Sequence, residues 1–286
     1  MLPSPDFTIG PMTRIEVDTL GDWAAAEGWN PGISDLQIAW DIDPDAFVAM
    51  RYCDTLIGGG SIFSYGGDFG FMGLFIMRPD LRKQGLGTSL WRWRRDQLIA
   101  RLKPGAGIAM DGVFEMVPFY ERGGFQSAYR DVRYQGIAAG THDPAVQTLD
   151  AADAPEVIAY DRPFFPASRD TFLSRWIAAP GTITMGLRQK GTLVGYGVAR
   201  PCREGYKIGP LFAETPSIAE CITDSLMAAI AGQQVQIDMP EANQAAVLLA
   251  ERFGLNLSFG CMRLYRGAAP ALPIERTFAL TSLEFG

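Results

Sequence analysis

Arg82-Lys83-Gln84-Gly85-Leu86-Gly87-Thr88 follows an apolar run, Phe71 to Met77, and opens a segment, Leu86 to Leu102, that reads as a helix. A strand that feeds a glycine-bearing loop into a helix N-terminus makes an anion cradle. The first helical turn leaves backbone N–H groups without partners, and the positive end of the helix dipole adds to them. Gly85 and Gly87 let that backbone approach a phosphate or pyrophosphate closely.

Two common phosphate loops do not match these residues. A Walker loop needs Gly-Lys-Ser/Thr after four spacers, and the dinucleotide fingerprint needs a third glycine where Leu90 stands. What remains is Arg-x-x-Gly-x-Gly behind Pro79 and a hydrophobic strand. About 35 residues further on comes Phe119-Tyr120-Glu121-Arg122-Gly123-Gly124-Phe125, with a helix and a strand in between. The first motif resembles the coenzyme A loop of the GNAT acetyltransferases, and the second resembles the Tyr-Glu-Lys-x-Gly-Phe segment that closes their acetyl-CoA site. Glu27-Gly28-Trp29-Asn30-Pro31-Gly32, Asp111-Gly112-Val113 and Thr281-Ser282-Leu283-Glu284 extend the likeness over nearly the whole chain. They look like bacterial tandem GNAT proteins with a degenerate C-terminal acetyltransferase-like domain. One departure is the segment before Tyr120, which lacks the asparagine often found there; Asn243 occupies roughly that place in the second half.

Length and composition agree with this. At 286 residues with 48% hydrophobic content, the chain predicts two domains with a core each. The N-terminal residues show no signal-peptide pattern, and no run approaches the ~20 apolar residues of a membrane span, so a cytoplasmic protein without membrane partners is expected. Cys53, Cys202, Cys221 and Cys261 are too scattered for a zinc site or a disulfide framework and read as reduced, mostly buried thiols. The net charge of −7 makes nucleic acid an unsuitable partner and suits a cationic small molecule. Arg92, Arg94 and Arg95 read as a solvated helix face with one arginine in reach of a cofactor phosphate.

The chain repeats itself. Leu56-Ile57-Gly58 and Leu193-Val194-Gly195 lie 137 positions apart, and Leu74-Phe75 with Leu211-Phe212, and Pro79 with Pro216, keep that offset. Glu121-Arg122-x-Gly124 pairs with Glu251-Arg252-x-Gly254 at an offset of 130. The expected fold is therefore α/β, mixed α+β, with two tandem GNAT-like domains. Each is a mixed, mostly antiparallel sheet flanked by helices, over 1–138 (catalytic) and 145–286 (degenerate), with Gly136 to Pro144 as linker. After Pro216 the second copy has neither the arginine nor the glycine pair, and Ala250 stands for Tyr120. It reads as a scaffold that shapes or covers the substrate site, or as a plain folding partner. Such a duplication can act as an internal pseudo-dimer, so monomer and homodimer both remain open.

In the first copy, periodicity predicts strands over Thr8 to Val17, Ala46 to Arg51, Leu56 to Ser64, Phe69 to Met77 and Gly107 to Asp111. Helices are predicted over Leu20 to Glu27, Leu86 to Leu102 and Pro118 to Arg122.

The resemblance implies acetyl-CoA bound by Phe75, Ile76, Met77, Arg82, Lys83, Gln84, Gly85, Leu86, Gly87, Thr88 and Tyr120. It also implies an acetyl transfer to a primary amine of a small molecule or peptide by direct attack in a ternary complex. A backbone N–H near Met77 would stabilise the oxyanion, and Tyr120 would protonate the departing sulfur. For the base and the acceptor site, the carboxylates near the ends of elements are Glu27, Asp111 and Glu115, with Trp29 and Asn30 shaping the pocket. His142, the only histidine, falls in the linker. An acyl-CoA-binding regulator without turnover and a transferase for longer acyl groups are the rival readings; the run Gly58-Gly59-Gly60 with Gly66, Gly67 and Gly70 leaves room for the latter.

Overall fold

A computed structural model describes residues 6–286. The first half runs β1 (Phe7–Pro11), α1 (Arg14–Ala26), α2 (Asp35–Ile42), β2 (Phe47–Tyr52), β3 (Thr55–Tyr65), β4 (Phe69–Met77), α3 (Leu86–Arg101), β5 (Gly107–Gly112), α4 (Val117–Arg122) and β6 (Gln126–Ile137). The second half follows with β7 (Val146–Thr148), α5 (Ala154–Asp161), α6 (Asp170–Ile177), β8 (Ile183–Gln189), β9 (Thr192–Pro201), β10 (Tyr206–Ala213), α7 (Pro216–Ala229), β11 (Gln234–Pro240), α8 (Gln244–Arg252), β12 (Asn256–Arg266) and β13 (Thr277–Ala279). No described helix is long and apolar enough to cross a membrane.

The strand read over Thr8 to Val17 stops at Pro11. Thr13 and Glu16 form a capping box, each side chain bonding the other's backbone, and this starts a helix six residues before the predicted Leu20. Helix α2 has no counterpart among the expected elements. Gly136 and Ile137, read as linker, still belong to β6 and pair with Val235 and Gln234.

The strands form one continuous mixed sheet in the order β1-β2-β3-β4-β5-β12-β6-β11-β10-β9-β8-β7. The two halves have exchanged their long final strands. β12 of the second half pairs with β5, β6 of the first pairs with β11, and β6 and β12 lie side by side in the middle. Both exchanged strands have neighbours on each side, so the join between the halves leaves no sheet edge open.

The gap that matters lies between β4 and β5. These strands run parallel and pair only over Phe69–Met72 and Gly107–Met110. Beyond that they splay, because the β3–β4 register shifts between Gly59↔Ile76 and Ser61↔Gly73 and Leu74 adopts a φ of +51°. A bulge of this kind bends its strand and turns backbone polar groups away from the ladder. In the second half β10 and β11 pair only over Tyr206–Ile208 and Val235–Ile237, and there β13 fills the gap by pairing with β10 at Leu211 and Phe212. Leu280 N–H closes the other side on the carbonyl of Asp238. The chain's own tail thus occupies the slot that stays open in the first half.

Candidate functional site

The open slot leads from the N-terminus of α3 into a cavity of about 470 Å³. Gly85 precedes α3 in the left-handed region at φ +83°, and Lys83 at φ +63° sharpens the same loop. Thr88 N–H and Ser89 N–H bond back to Gly85 O, whereas the N–H groups of Gly85, Leu86 and Gly87 have no acceptor among the described residues. A Cβ on Gly87 would come within 3.3 Å of Met77 and 3.4 Å of Phe75, so this glycine also lets the helix close onto β4. Arg82 is engaged within the protein. Its Nε donates to Met77 O at 2.9 Å and its Nη2 to Glu27, so it braces the loop against β4 and α1.

Tyr120 lies across the gap on α4. It is buried against Trp91 and Phe119, and Gly112 makes room for its ring, since a Cβ there would sit 2.6 Å from Cε2. The residue lines the cavity. Burial pushes its pKa up to about 12, with the Arg94 charge pulling the other way. The phenol is thus held protonated at neutral pH and can donate into the slot.

Orphan N–H groups, a left-handed glycine and an open gap beside an unpaired strand edge fit a long phosphorylated donor laid along β4. The second half differs at the same place. Thr215 Oγ1 caps α7 by accepting from Ile218 N–H, Pro216 removes another donor, and buried Ala250 replaces the tyrosine.

Comparison with known proteins agrees with this layout. Residues 12–125 match the family model described as Acetyltransferase (GNAT) family, and residues 157–279 match one described as Acetyltransferase (GNAT) domain. The chain is a tandem GNAT protein. It is similar to the holothin acyltransferase of a Pseudoalteromonas species, at 26% identity over 98% of this chain and 95% of that one. In fold it is similar to a crystal structure from Pyrococcus horikoshii described as an acetyltransferase, with a TM-score of 0.82, 22% identity and coverage of 100% and 98%. It is also similar to a tandem GNAT protein from the clavulanic acid biosynthesis pathway, with a TM-score of 0.64, 12% identity and coverage of 93% and 99%. The family membership makes the chain a GNAT-type acyltransferase, a family that uses acyl-CoA.

The tandem GNAT arrangement puts both halves around one cavity. Phe75, Ile76, Met77, Arg82, Lys83, Gly85, Gly87, Thr88 and Tyr120 line it together with Glu27, Trp29 and Asp111. Gln84 in the loop and Leu86 at the start of α3 do not line the cavity; Gln84 Nε2 instead bonds Asp80 O at 3.1 Å. Glu115 is exposed and stands outside the cavity. Asn30 also stands outside. It is buried between the halves, where its side chain bonds Glu204 N–H, Glu204 O and Gln236. Asp111 is buried with both oxygens taken by Arg263, at 2.6 and 2.8 Å.

Several lining residues are not among the site residues expected from the sequence. Phe259 and Cys261 come from the exchanged strand β12, and Leu283 and Glu284 from the C-terminal tail. Arg94 is fully buried rather than part of a solvated helix face. Its Nη2 donates to Ser61 O at 2.5 Å and Gly73 O at 2.6 Å, gripping β3 and β4 where the bulge begins. Burial lowers its pKa to about 10.

A set of buried ion pairs, of which Arg133 and Asp111 line the cavity, ties the halves together. Arg133 holds Asp238 at 2.6 and 2.9 Å and reaches Trp29 O, which Lys207 Nζ also contacts at 2.9 Å. Burial alone would raise the Asp238 carboxyl, but Arg133 and Lys207 hold it down at about 2. Asp131 lies beside Asp111 with Arg263 Nε at 3.5 Å. Burial first, and then the Asp111 charge, push its carboxyl well up against the pull of Arg263.

Proposed function

We propose that the protein transfers an acetyl group from acetyl-CoA to a primary amine of a small molecule or peptide, by direct attack with both substrates bound. The observation that carries this reading is the slot between β4 and β5, which brings the N–H groups at the start of α3 and the carboxylates Glu27, Asp111 and Glu284 to one cavity. Acyl-CoA supplies an acyl group activated as a thioester.

The residues of the chain do the rest. Gly85, Leu86 and Gly87 offer N–H groups and the α3 dipole to the phosphates. The edge of β4 from Gly73 to Met77 presents backbone groups to the gap where β5 has turned away, and an N–H there stabilises charge on the carbonyl oxygen, a contribution on the order of 10²-fold. Tyr120 donates its proton to the sulfur as it leaves. Trp29, Phe259 and the tail enclose the acceptor and limit water.

A longer acyl group is the second reading. It is favoured by the cavity of about 470 Å³ and by the Pseudoalteromonas relative, whose name is an acyltransferase. The test is coenzyme A release by the purified protein from acetyl-CoA and longer acyl-CoAs, against a panel of polyamines, amino acids, aminoglycosides and peptide N-termini. Release that depends on one amine class supports the proposal and names the acceptor. Tight acetyl-CoA binding by calorimetry without release for any amine points instead to a binding protein.

A further inference from the structure

Three carboxylates line the cavity, and two of them are neutralised by arginine. Glu27 pairs with Arg82 and Asp111 with Arg263. The third, Glu284, is only 3% exposed, and among the described residues its one side-chain partner is the hydroxyl of Ser282, which donates to Oε2. The same Ser282 Oγ accepts from Glu284 N–H at 3.0 Å, so a tight turn of the tail fixes the carboxylate in place. The charged or titratable groups that face it are Asp111 on β5, Arg133 on β6, and Arg200 and Cys202 beside β9. Both arginines are committed elsewhere, Arg133 to Asp238 and Arg200 to Asp35. Among the described residues Glu284 has no ion-pair partner of its own, and a cationic ligand can take that place beside it.

Its location adds to this. The main chain of Glu284 lies directly against Gly73, the residue that precedes the β4 bulge. Glu284 thus lies beside the slot and lines the same cavity as Tyr120. We infer that Glu284, delivered by the C-terminal tail, binds the acceptor as an ammonium ion and takes its proton, serving as the general base of the reaction.

This rests on the proposed amine acylation. Glu284 accepts one proton from the ammonium nitrogen, freeing the lone pair that forms the C–N bond to the acyl carbon. The C–S bond breaks with its electron pair on sulfur, and Tyr120 protonates that sulfur. The second nitrogen proton returns to the Tyr120 oxygen through water, and Glu284 releases its proton to solvent. The sum is an amide, a thiol and one proton.

The experiment compares wild type, Glu284→Gln and Glu284→Asp with benzylamine, a cation at neutral pH, and with aniline, which is neutral there. Coenzyme A release from acetyl-CoA is measured with both. Benzylamine binding to the coenzyme-free protein and coenzyme A binding are measured by calorimetry. For Glu284→Gln, release with benzylamine is expected to fall about 100-fold, release with aniline by less than about tenfold, and benzylamine affinity at least about tenfold. Coenzyme A affinity should stay unchanged, and Glu284→Asp should recover part of the benzylamine rate. Equal losses with both amines would reduce Glu284 to a structural prop of the tail and overturn the inference, as would unchanged benzylamine binding and turnover. No release by wild type with any amine would defeat the acyl-transfer reading itself and Glu284 with it, an outcome read from wild type alone.

Discussion

Gly73 and Glu284, one in each half of the sequence, touch through their backbones: a Cβ on Gly73 would stand 2.0 Å from the carbonyl oxygen of Glu284. The tail is anchored further by the Tyr65 hydroxyl on Phe285 O and by Arg169 on Gly286 O. The first half thereby uses the last residues of the second as one wall of its cavity, while residues 277–280 of the same tail close the slot of the second half.

Gly73→Ala tests that contact. Neither partner atom is the flexible end of a side chain, so either β4 or the tail must move, at a cost of about 1–3 kcal/mol for overpacking. Thermal unfolding should show the loss, and hydrogen exchange should rise over residues 280–286. Gly10→Ala, where a Cβ meets nothing within 4 Å, serves as the control and should leave both unchanged. Unaltered exchange in the tail of Gly73→Ala would show that the contact does not hold it.

Tyr120→Phe should leave coenzyme A affinity intact and lower turnover about 100-fold. The ring keeps its packing against Trp91 and Phe119, so stability should hardly change. Burial raises the phenol to about 12, which keeps it protonated, and wild-type turnover should show no loss from its ionisation below about pH 11. Full activity of Tyr120→Phe across the pH range would remove the acid assignment.

Much of this site was legible because its signals are local. Phe69–Met77 is an unbroken apolar run bounded by Gly66-Gly67 and Pro79, and Gly85 marks the start of α3, so strand, loop and helix follow from neighbouring residues. The exchange of β6 and β12 is a different matter. The two segments are copies of one pattern, and nothing in either says which copy of the sheet it joins. Arg94 was misread for a related reason, since an arginine beside Arg95 on a helix reads as solvated. A signal did exist in Gly60, where a Cβ would meet the Arg94 guanidinium at 2.3 Å: the glycine run makes space for a buried side chain. The bulge at Leu74 has no sequence signature, because leucine is a rare occupant of positive φ and only tertiary packing imposes it.

Gly85→Glu should abolish coenzyme A binding as measured by calorimetry, and Gly85→Ala should weaken it by a smaller factor. Both residues must adopt φ +83°, which costs about 1–2 kcal/mol without glycine. Only glutamate adds a carboxylate that takes the place of the phosphates at the orphan N–H groups. The Cβ itself meets nothing within 4 Å, so neither variant should disturb the core. Equal affinities for the two variants would show that charge at the cradle is not what excludes the ligand.

Asp131→Asn should stabilise the protein, and more so at alkaline than at acidic pH. Burial, and then the Asp111 charge, hold the folded-state pKa of Asp131 well above its ordinary 3.8, against the opposing pull of Arg263. A group raised in this way contributes stability that is fully present below the unfolded value and is lost as pH rises through the folded value. Asparagine replaces the protonated carboxyl with a neutral group of similar shape that never ionises, so the loss disappears. Thermal unfolding at pH 4 and pH 8 checks this: the variant should gain on wild type between the two. A difference that stays constant would mean that Asp131 binds its proton alike in the folded and unfolded chains, so that its folded-state pKa is not raised.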